Sequence, residues 1–262
     1  NWDGHSPKPD WGRITKKNDE TTRQSAGYMT ARFSLNDELS LLLGSRVNNY
    51  EGSGTSRTKD TGKVIPYAGV VYDLDQNFSV YASYTEIYLP QDDYRDRNDK
   101  VLKPDEGTNY EVGLKGEFWD KRLTAGLSVF EVQQDNLPVA DPNNPGYSIP
   151  ESGTKTRGFE VEMAGELLPD WQVSASYSYA VIQDSDDKRL LTEVPRDTLK
   201  LFTSYRLRAL PQLKVGGGVR WQGEEYYKRS GPNNETFRQG DYAVVDLMAQ
   251  YAFTPDTSVS LN

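Results

Sequence analysis

Residues Phe78 to Leu89 read Phe-Ser-Val-Tyr-Ala-Ser-Tyr-Thr-Glu-Ile-Tyr-Leu, and residues Tyr110 to Trp119 read Tyr-Glu-Val-Gly-Leu-Lys-Gly-Glu-Phe-Trp. In the first stretch Phe78, Val80, Ala82 and Tyr84 alternate with Ser79, Tyr81, Ser83 and Thr85. In the second, Tyr110, Val112, Leu114 and Phe118 alternate with Asn109, Glu111, Lys115 and Glu117. Successive side chains of a strand point to opposite faces, so each stretch predicts a strand with one apolar and one polar face. Between them lie the charged loop Gln91–Asp99 and Leu102-Lys-Pro-Asp-Glu-Gly107, whose Pro104 and Gly107 interrupt regular structure. One such hairpin suits a soluble sheet as well as a membrane wall. Repetition decides between them.

Working outward, the same unit recurs. Upstream, a strand from about Thr22 to Leu35 turns at Asn36-Asp37 into one carrying Leu39, Leu41, Leu43 and Val47. Residues 51–62 read as a polar loop, and the next strand, from about Lys63 to Asp73, turns at Asp75–Asn77. Downstream, Asp120-Lys121 leads into Leu123, Ala125, Leu127 and Val129, then a long loop from about Gln134 to Gly153. Phe159, Val161, Met163 and Leu167 follow, then a turn at Pro169-Asp170 and the Trp171, Val173, Ala175, Tyr177, Tyr179 stripe. After the acidic loop Asp184–Arg196 come Leu199 to Leu207, a turn at Ala209–Pro211, and Leu213, Val215, Val219 and Trp221. Tyr227–Arg238 reads as a loop, Ala243 to Phe253 as a strand, and Thr254–Asp256 as a turn into a last, cut-off strand.

About twelve long strands result, and their connections alternate between tight turns and loops of about ten residues or more. In an antiparallel meander this puts every turn at one end and every long loop at the other. Transmembrane β-barrels of outer membranes have that asymmetry, and their tilted strands need about 9–11 residues to cross. Sandwich and propeller strands average about five or six. Tyr67, Tyr72, Trp119, Trp171, Trp221 and Tyr242, near strand ends, fit interfacial aromatic girdles. The fold class is therefore all-β: an antiparallel meander of about twelve strands forming part of a transmembrane barrel.

Composition agrees. Hydrophobic residues are 35% of the 262, under the usual globular share of about 45–50%. Aromatics reach 11%, with 17 Tyr, which a disordered chain would not carry. The net charge of −9 argues against nucleic acid as a partner. There is no Cys and one histidine, His5, so thiolate chemistry is excluded and a His-based triad or metal cluster nearly so. No apolar run approaches the roughly 18 residues of a membrane-crossing helix.

Several stretches carry a family likeness. Tyr81–Gln91, Leu102–Glu117, Thr156-Arg-Gly-Phe-Glu-Val-Glu162, Leu168-Pro-Asp-Trp-Gln172 and Val194–Phe202 resemble the barrel of TonB-dependent siderophore receptors. The opening Trp2–Trp11 resembles the ferric coprogen and ferripyoverdine receptor subgroup. The resemblance implies a barrel of about 22 strands around an N-terminal plug. On that basis the whole chain, 1–262, is expected to be a partial barrel domain lacking the plug, the TonB-contacting box, the first strands and the last. It implies an outer-membrane importer of ferric siderophore (hydroxamate or pyoverdine-like) in a Gram-negative cell. Energy would come from TonB, ExbB and ExbD through the plug region. The expected protein is a monomer among lipid and lipopolysaccharide, not an enzyme. It needs no cofactor, since ferric iron enters only as siderophore-bound substrate. The competing readings are a passive porin, a surface-adhesion barrel and an autotransporter barrel, the last disfavoured because such barrels are smaller.

Candidate ligand-binding residues are the aromatics and arginines at the loop ends of strands: Tyr88, Tyr94, Arg95, Trp221, Tyr226, Tyr227 and Arg229. Tyrosine and tryptophan offer rigid surface with a polar handle, and arginine a charged fork. The alternative for each is a place in the outer girdle. Glu160 with Glu162, and Glu111, Lys115 and Glu117, read as a polar lumen wall rather than acid–base pairs. Asp92, Asp93, Asp96 and Asp99 lack the glycine and closing glutamate of an EF-hand and read as a solvated loop. Leu114, Leu127, Val173 and Val215 should face lipid, and Lys115, Glu162 and Arg220 the lumen.

Overall fold

The computed structural model describes residues 20–54, 57–230 and 235–262, so Trp2–Trp11 with His5 falls outside the described residues. One antiparallel sheet of twelve strands dominates. Its strands are β1 (Glu20–Ser34), β2 (Leu39–Gly54), β3 (Thr58–Asp73), β4 (Phe78–Leu89), β5 (Asp105–Phe118), β6 (Leu123–Asp135), β9 (Thr154–Leu168), β10 (Trp171–Gln183), β11 (Asp197–Arg206), β12 (Leu213–Gln222), β15 (Tyr242–Thr254) and β16 (Thr257–Leu261). The order is a meander, interrupted only by two small hairpins in the long connections. These are β7 (Leu137–Ala140) with β8 (Ser148–Glu151), and β13 (Glu225–Ser230) with β14 (Glu235–Gln239). Among the described residues the sheet does not close, because β1 pairs with β2 alone and β16 with β15 alone.

The short turns form because Asn and Asp side chains mimic a turn of backbone. Asn36 Oδ1 accepts from the N–H groups of Glu38 (3.1 Å) and Leu39 (2.6 Å). Asp75 Oδ1 does the same for Asn77 (2.7 Å) and Phe78 (2.8 Å).

The register assigns faces. Partners directly opposite in an antiparallel ladder point the same way. Val80, Leu114, Leu127, Val161, Tyr177, Leu199 and Trp221 form one continuous row of such partners. Val173 and Val215 share that apolar face by strand parity. The opposite face carries a second row, Lys115, Gly126, Glu162, Ser176, Lys200 and Arg220. Apolar side chains on an open face are stable only against lipid, so the first face is the outside of the barrel and the second its lumen.

Aromatic pairs border the apolar face at both ends. Phe78–Phe118 (centroids 5.5 Å apart) and Trp171–Tyr205 (6.3 Å) stand at the turn end, Tyr84–Tyr110 (5.4 Å) and Phe159–Tyr177 (5.8 Å) toward the loop end. On the lumenal face, rings lie over glycines that stand directly opposite them. A Cβ on Gly113 would come within 2.4 Å of the Tyr81 ring, and one on Gly44 within 2.2 Å of Tyr67. Bare backbone opposite the ring is what admits it. Tyr81 then donates its hydroxyl to Glu111 while Lys115 Nζ sits 5.0 Å over its ring.

Three stretches differ from the sequence reading. Residues 51–62 are mostly strand, with β2 and β3 rising to Gly54 and Thr58, since alternation between polar residues gives no apolar signal. The segment Tyr227–Arg238 is largely the β13–β14 hairpin, and the 134–153 loop contains β7–β8, four-residue strands whose Pro138 and Pro150 read as loop formers. Asp105 to Gly107 are the first residues of β5, because Pro104 closes the loop from just outside the strand.

Candidate functional site

At the loop end, four connections fold against one another. The β4–β5 loop is a compact hairpin: Leu102 N–H donates to the Tyr94 carbonyl (3.0 Å) and Asp96 N–H to that of Lys100 (2.8 Å). The N–H groups of Lys100 (2.9 Å) and Asn98 (2.8 Å) converge on the Asp96 carboxylate and hold its carboxyl below the usual range. Ser148 N–H donates to the Arg95 carbonyl (2.8 Å), docking the β7–β8 hairpin on this loop. Gln91 Nε2 donates to the Asn136 carbonyl (2.8 Å), and Asn136 Nδ2 to that of Pro104 (3.1 Å). Tyr226 N–H donates to the Thr192 carbonyl (3.0 Å), joining the β10–β11 loop to β13.

These contacts frame an open cavity of about 810 Å³. Leu89, Pro90, Gln91, Asp93, Tyr94 and Asp105 line it from the β4–β5 side. Leu137, Pro138, Ala140, Gly146, Tyr147 and Ser148 come from the β7–β8 excursion, Leu191 and Glu193 from the β10–β11 loop, and Tyr227 from β13. Leu89 and Asp105 are a directly paired couple on the lumenal face, so the cavity lies at the lumen mouth. Asp105 is 4% exposed. Its Oδ2 accepts from Gln134 Nε2 (2.9 Å).

The seven candidate residues distribute unevenly. Tyr94 (45% exposed) and Tyr227 (41%) meet across this cavity. Tyr226, on the opposite face of β13, is ringed by Arg189, Arg238 and Lys228 at 5.4, 5.3 and 5.6 Å from its centroid. Arg95 folds onto its own loop, donating from Nη1 to the Asp99 carbonyl (2.9 Å). Arg229 lies on β13, with its side chain outside the described structure. Tyr88 and Trp221 are not brought to the cavity. Tyr88 has the strand parity of Tyr84, but above Thr85, where β4 parts from β3, its side chain packs on β3 instead of facing lipid. It is 8% exposed, its hydroxyl donates to Asp60, and Lys63, which has the lumenal parity of Tyr67, lies 5.2 Å over the ring. It is covered there because the β3–β4 ladder ends at Tyr67–Thr85, beside Pro66, which has no N–H to continue it. Trp221 lies in the outer-face row and donates Nε1–H to Asp241 (3.3 Å).

Asp105, Tyr147, Leu191 and Glu193, and the cations Arg189 and Arg238, were not among the sequence candidates. Strand parity already sends the 134–153 and 184–196 loops to the same end as Gln91–Asp99, which is the signal that could have found them. The glutamates behave as wall residues. Glu111, Lys115, Glu160 and Glu162 meet Tyr81 and Ser128 around a pocket of about 160 Å³. Among the described residues no group of His, Cys, Asp and Glu is arranged to hold a metal ion.

A twelve-stranded lipid-facing meander with girdles, tight turns below and a folded loop mouth above defines the wall of an outer-membrane receptor barrel. The chain belongs to the TonB-dependent receptor family: the profile described as TonB dependent receptor-like, beta-barrel, matches residues 1–262. This is a family of receptors and transporters of the Gram-negative outer membrane, not of enzymes. Over its full length the chain is 47% identical to the ferripyoverdine receptor of Pseudomonas aeruginosa and 43% identical to the ferric-pyoverdine BN7/BN8 receptor of Pseudomonas putida. It spans 34% and 33% of those proteins, about a third of their length. Among solved structures, FpvA of P. aeruginosa bound to a heterologous pyoverdine and iron superposes with a TM-score of 0.82 at 45% identity, covering 99% of this chain and 36% of that one. The alcaligin outer-membrane receptor FauA of Bordetella pertussis superposes at 0.70 and 34% identity, covering 93% and 42%.

Proposed function

We propose that this chain is part of the wall and loop mouth of a receptor that imports a ferric siderophore of the pyoverdine class. The observation that carries the reading is the meeting of Tyr94, Tyr147 and Tyr227 around one cavity at the lumen mouth. Three rigid aromatic faces with hydroxyl handles suit the organic shell of an iron chelate. The names of the relatives, ferripyoverdine and ferric-pyoverdine receptors, support the same class. Tyr94, Arg95, Tyr226, Tyr227 and Arg229 are proposed contacts. Tyr88 and Trp221 would act by holding the wall.

The open edges of β1 and β16 support completion of the barrel by further strands, since unpaired strand edges are not tolerated in the hydrocarbon layer. A plug inside the completed barrel would meet the lumenal row of Lys115, Glu162 and Arg220. Nothing in the wall itself supplies energy, so transport would draw on TonB with ExbB and ExbD. The assembled receptor would sit as a monomer among lipid and lipopolysaccharide.

The test is iron-55 uptake from ferripyoverdine by receptor-deficient cells given the full-length protein, with and without TonB. TonB-dependent uptake is the expected result. Normal surface abundance without uptake, or ion conductance by the purified protein in a planar bilayer, would overturn it.

A further inference from the structure

The electrostatics of the mouth cavity are one-sided. Three carboxylates line it (Asp93, Asp105 and Glu193), and no Lys or Arg appears among the described lining residues. Arg95 is folded onto Asp99, and Arg189 and Arg238 are gathered on the Tyr226 ring, across β13 from Tyr227. Among the described side chains, none brings the charged fork of an arginine into this cavity.

A second, independent observation points to what would fit. Gln91 is 5% exposed and Asp105 4%, and both line the cavity. Gln91 Oε1 and Asp105 Oδ1 accept no hydrogen bond among the described residues, although the other polar atom of each side chain is engaged. A buried acceptor without a donor costs free energy and so selects for a donor. Both atoms are acceptors, one charged, and Tyr94 and Tyr227 offer ring faces at the same cavity. Acceptor floor, carboxylate wall and aromatic sides are the surroundings of an organic cation.

We propose that the cavity binds a cationic N–H donor of the ligand, a guanidinium or ammonium group, with its body against Tyr94 and Tyr227 and its N–H groups on Asp105 and Gln91, whose orphan oxygens lie closed off beneath the cavity floor and turn out to meet it. The assignment of that group to a siderophore rests on the uptake function proposed above. The cation preference of the cavity can be measured separately.

The experiment uses purified full-length receptor and two flat probes of matched shape, benzamidinium and benzamide, with binding followed by saturation-transfer NMR and calorimetry. Benzamidinium should bind at least about tenfold more tightly, the scale of a charge-assisted hydrogen bond. The preference should fall severalfold in Asp105→Asn, and in Glu193→Gln, an exposed change that keeps the test sound if the buried variant assembles poorly. Equal binding of the two probes, or a preference undiminished in both variants, would overturn the cation site. Benzamidinium should also compete with ferripyoverdine, and a lack of competition would overturn the cavity's place in ligand capture. A receptor that imports ferripyoverdine without the charge preference refutes the cation site alone. One that shows the preference yet imports none refutes the uptake reading alone.

Discussion

Leu89 stands directly opposite Asp105 across the β4–β5 ladder and reaches the mouth cavity, while the adjoining pair, Tyr88 and Glu106, points to the other side of the hairpin and onto Lys63 of β3. One residue of strand parity thus decides which side chain reaches the mouth cavity and which becomes part of the wall. Tyr88→Phe removes the bond to Asp60 and leaves that carboxylate without its hydroxyl donor. A hydrogen bond to a charged group contributes about 1.5–3 kcal/mol. The variant should unfold at a lower temperature in heat-modifiability gels, yet bind ferripyoverdine within about twofold of wild type. Intact stability with weakened binding would contradict the placement of Tyr88 against β3.

The faces of the sheet are testable by charge. Leu127 lies in the outer row and Glu162 in the lumenal row. An Arg on the lipid face near the midplane costs about 2–4 kcal/mol, and a lumenal change little. Leu127→Arg in the full receptor should therefore reduce assembled barrel far more than Glu162→Arg. Equal yields of heat-modifiable barrel would count against this facing.

Gly113 is needed for space. A Val there would drive the Tyr81 ring off the strand and break its bond to Glu111. Overpacking of this kind costs about 1–3 kcal/mol. Tyr81→Ser should recover much of the loss in the Gly113→Val background, because the two changes share one contact. Strictly additive losses in urea unfolding would show that the glycine serves something else.

For ligand capture, Tyr94→Ala with Tyr227→Ala removes two faces of the cavity. An aromatic contact contributes about 0.5–1.5 kcal/mol, so the pair should weaken ferripyoverdine binding roughly tenfold. Surface abundance should hold, because both side chains are largely exposed. Trp221→Ala should show the reverse pattern. Tryptophan-quenching titration on whole cells reads both quantities, and unchanged affinity in the double variant would remove these tyrosines from the site.

The sequence by itself determined the strands, their facing and the division between a turn end and a loop end. Alternation is a local property, written residue by residue in Phe78–Tyr84 or Trp171–Tyr179, and an antiparallel meander needs nothing further to set its faces. It also placed Tyr94 and Tyr227 at one end of the sheet. Only the tertiary structure decided that these two meet across a cavity, that Asp105 and Glu193 join them, and that Arg95 folds onto its own loop. Those outcomes depend on how loops far apart in the chain dock on one another. The docking is set by single hydrogen bonds, such as Ser148 to Arg95 and Tyr226 to Thr192, that leave no periodic trace. The covering of Tyr88 was likewise nonlocal, because it depends on the β3–β4 ladder ending where Pro66 offers no donor to its neighbour.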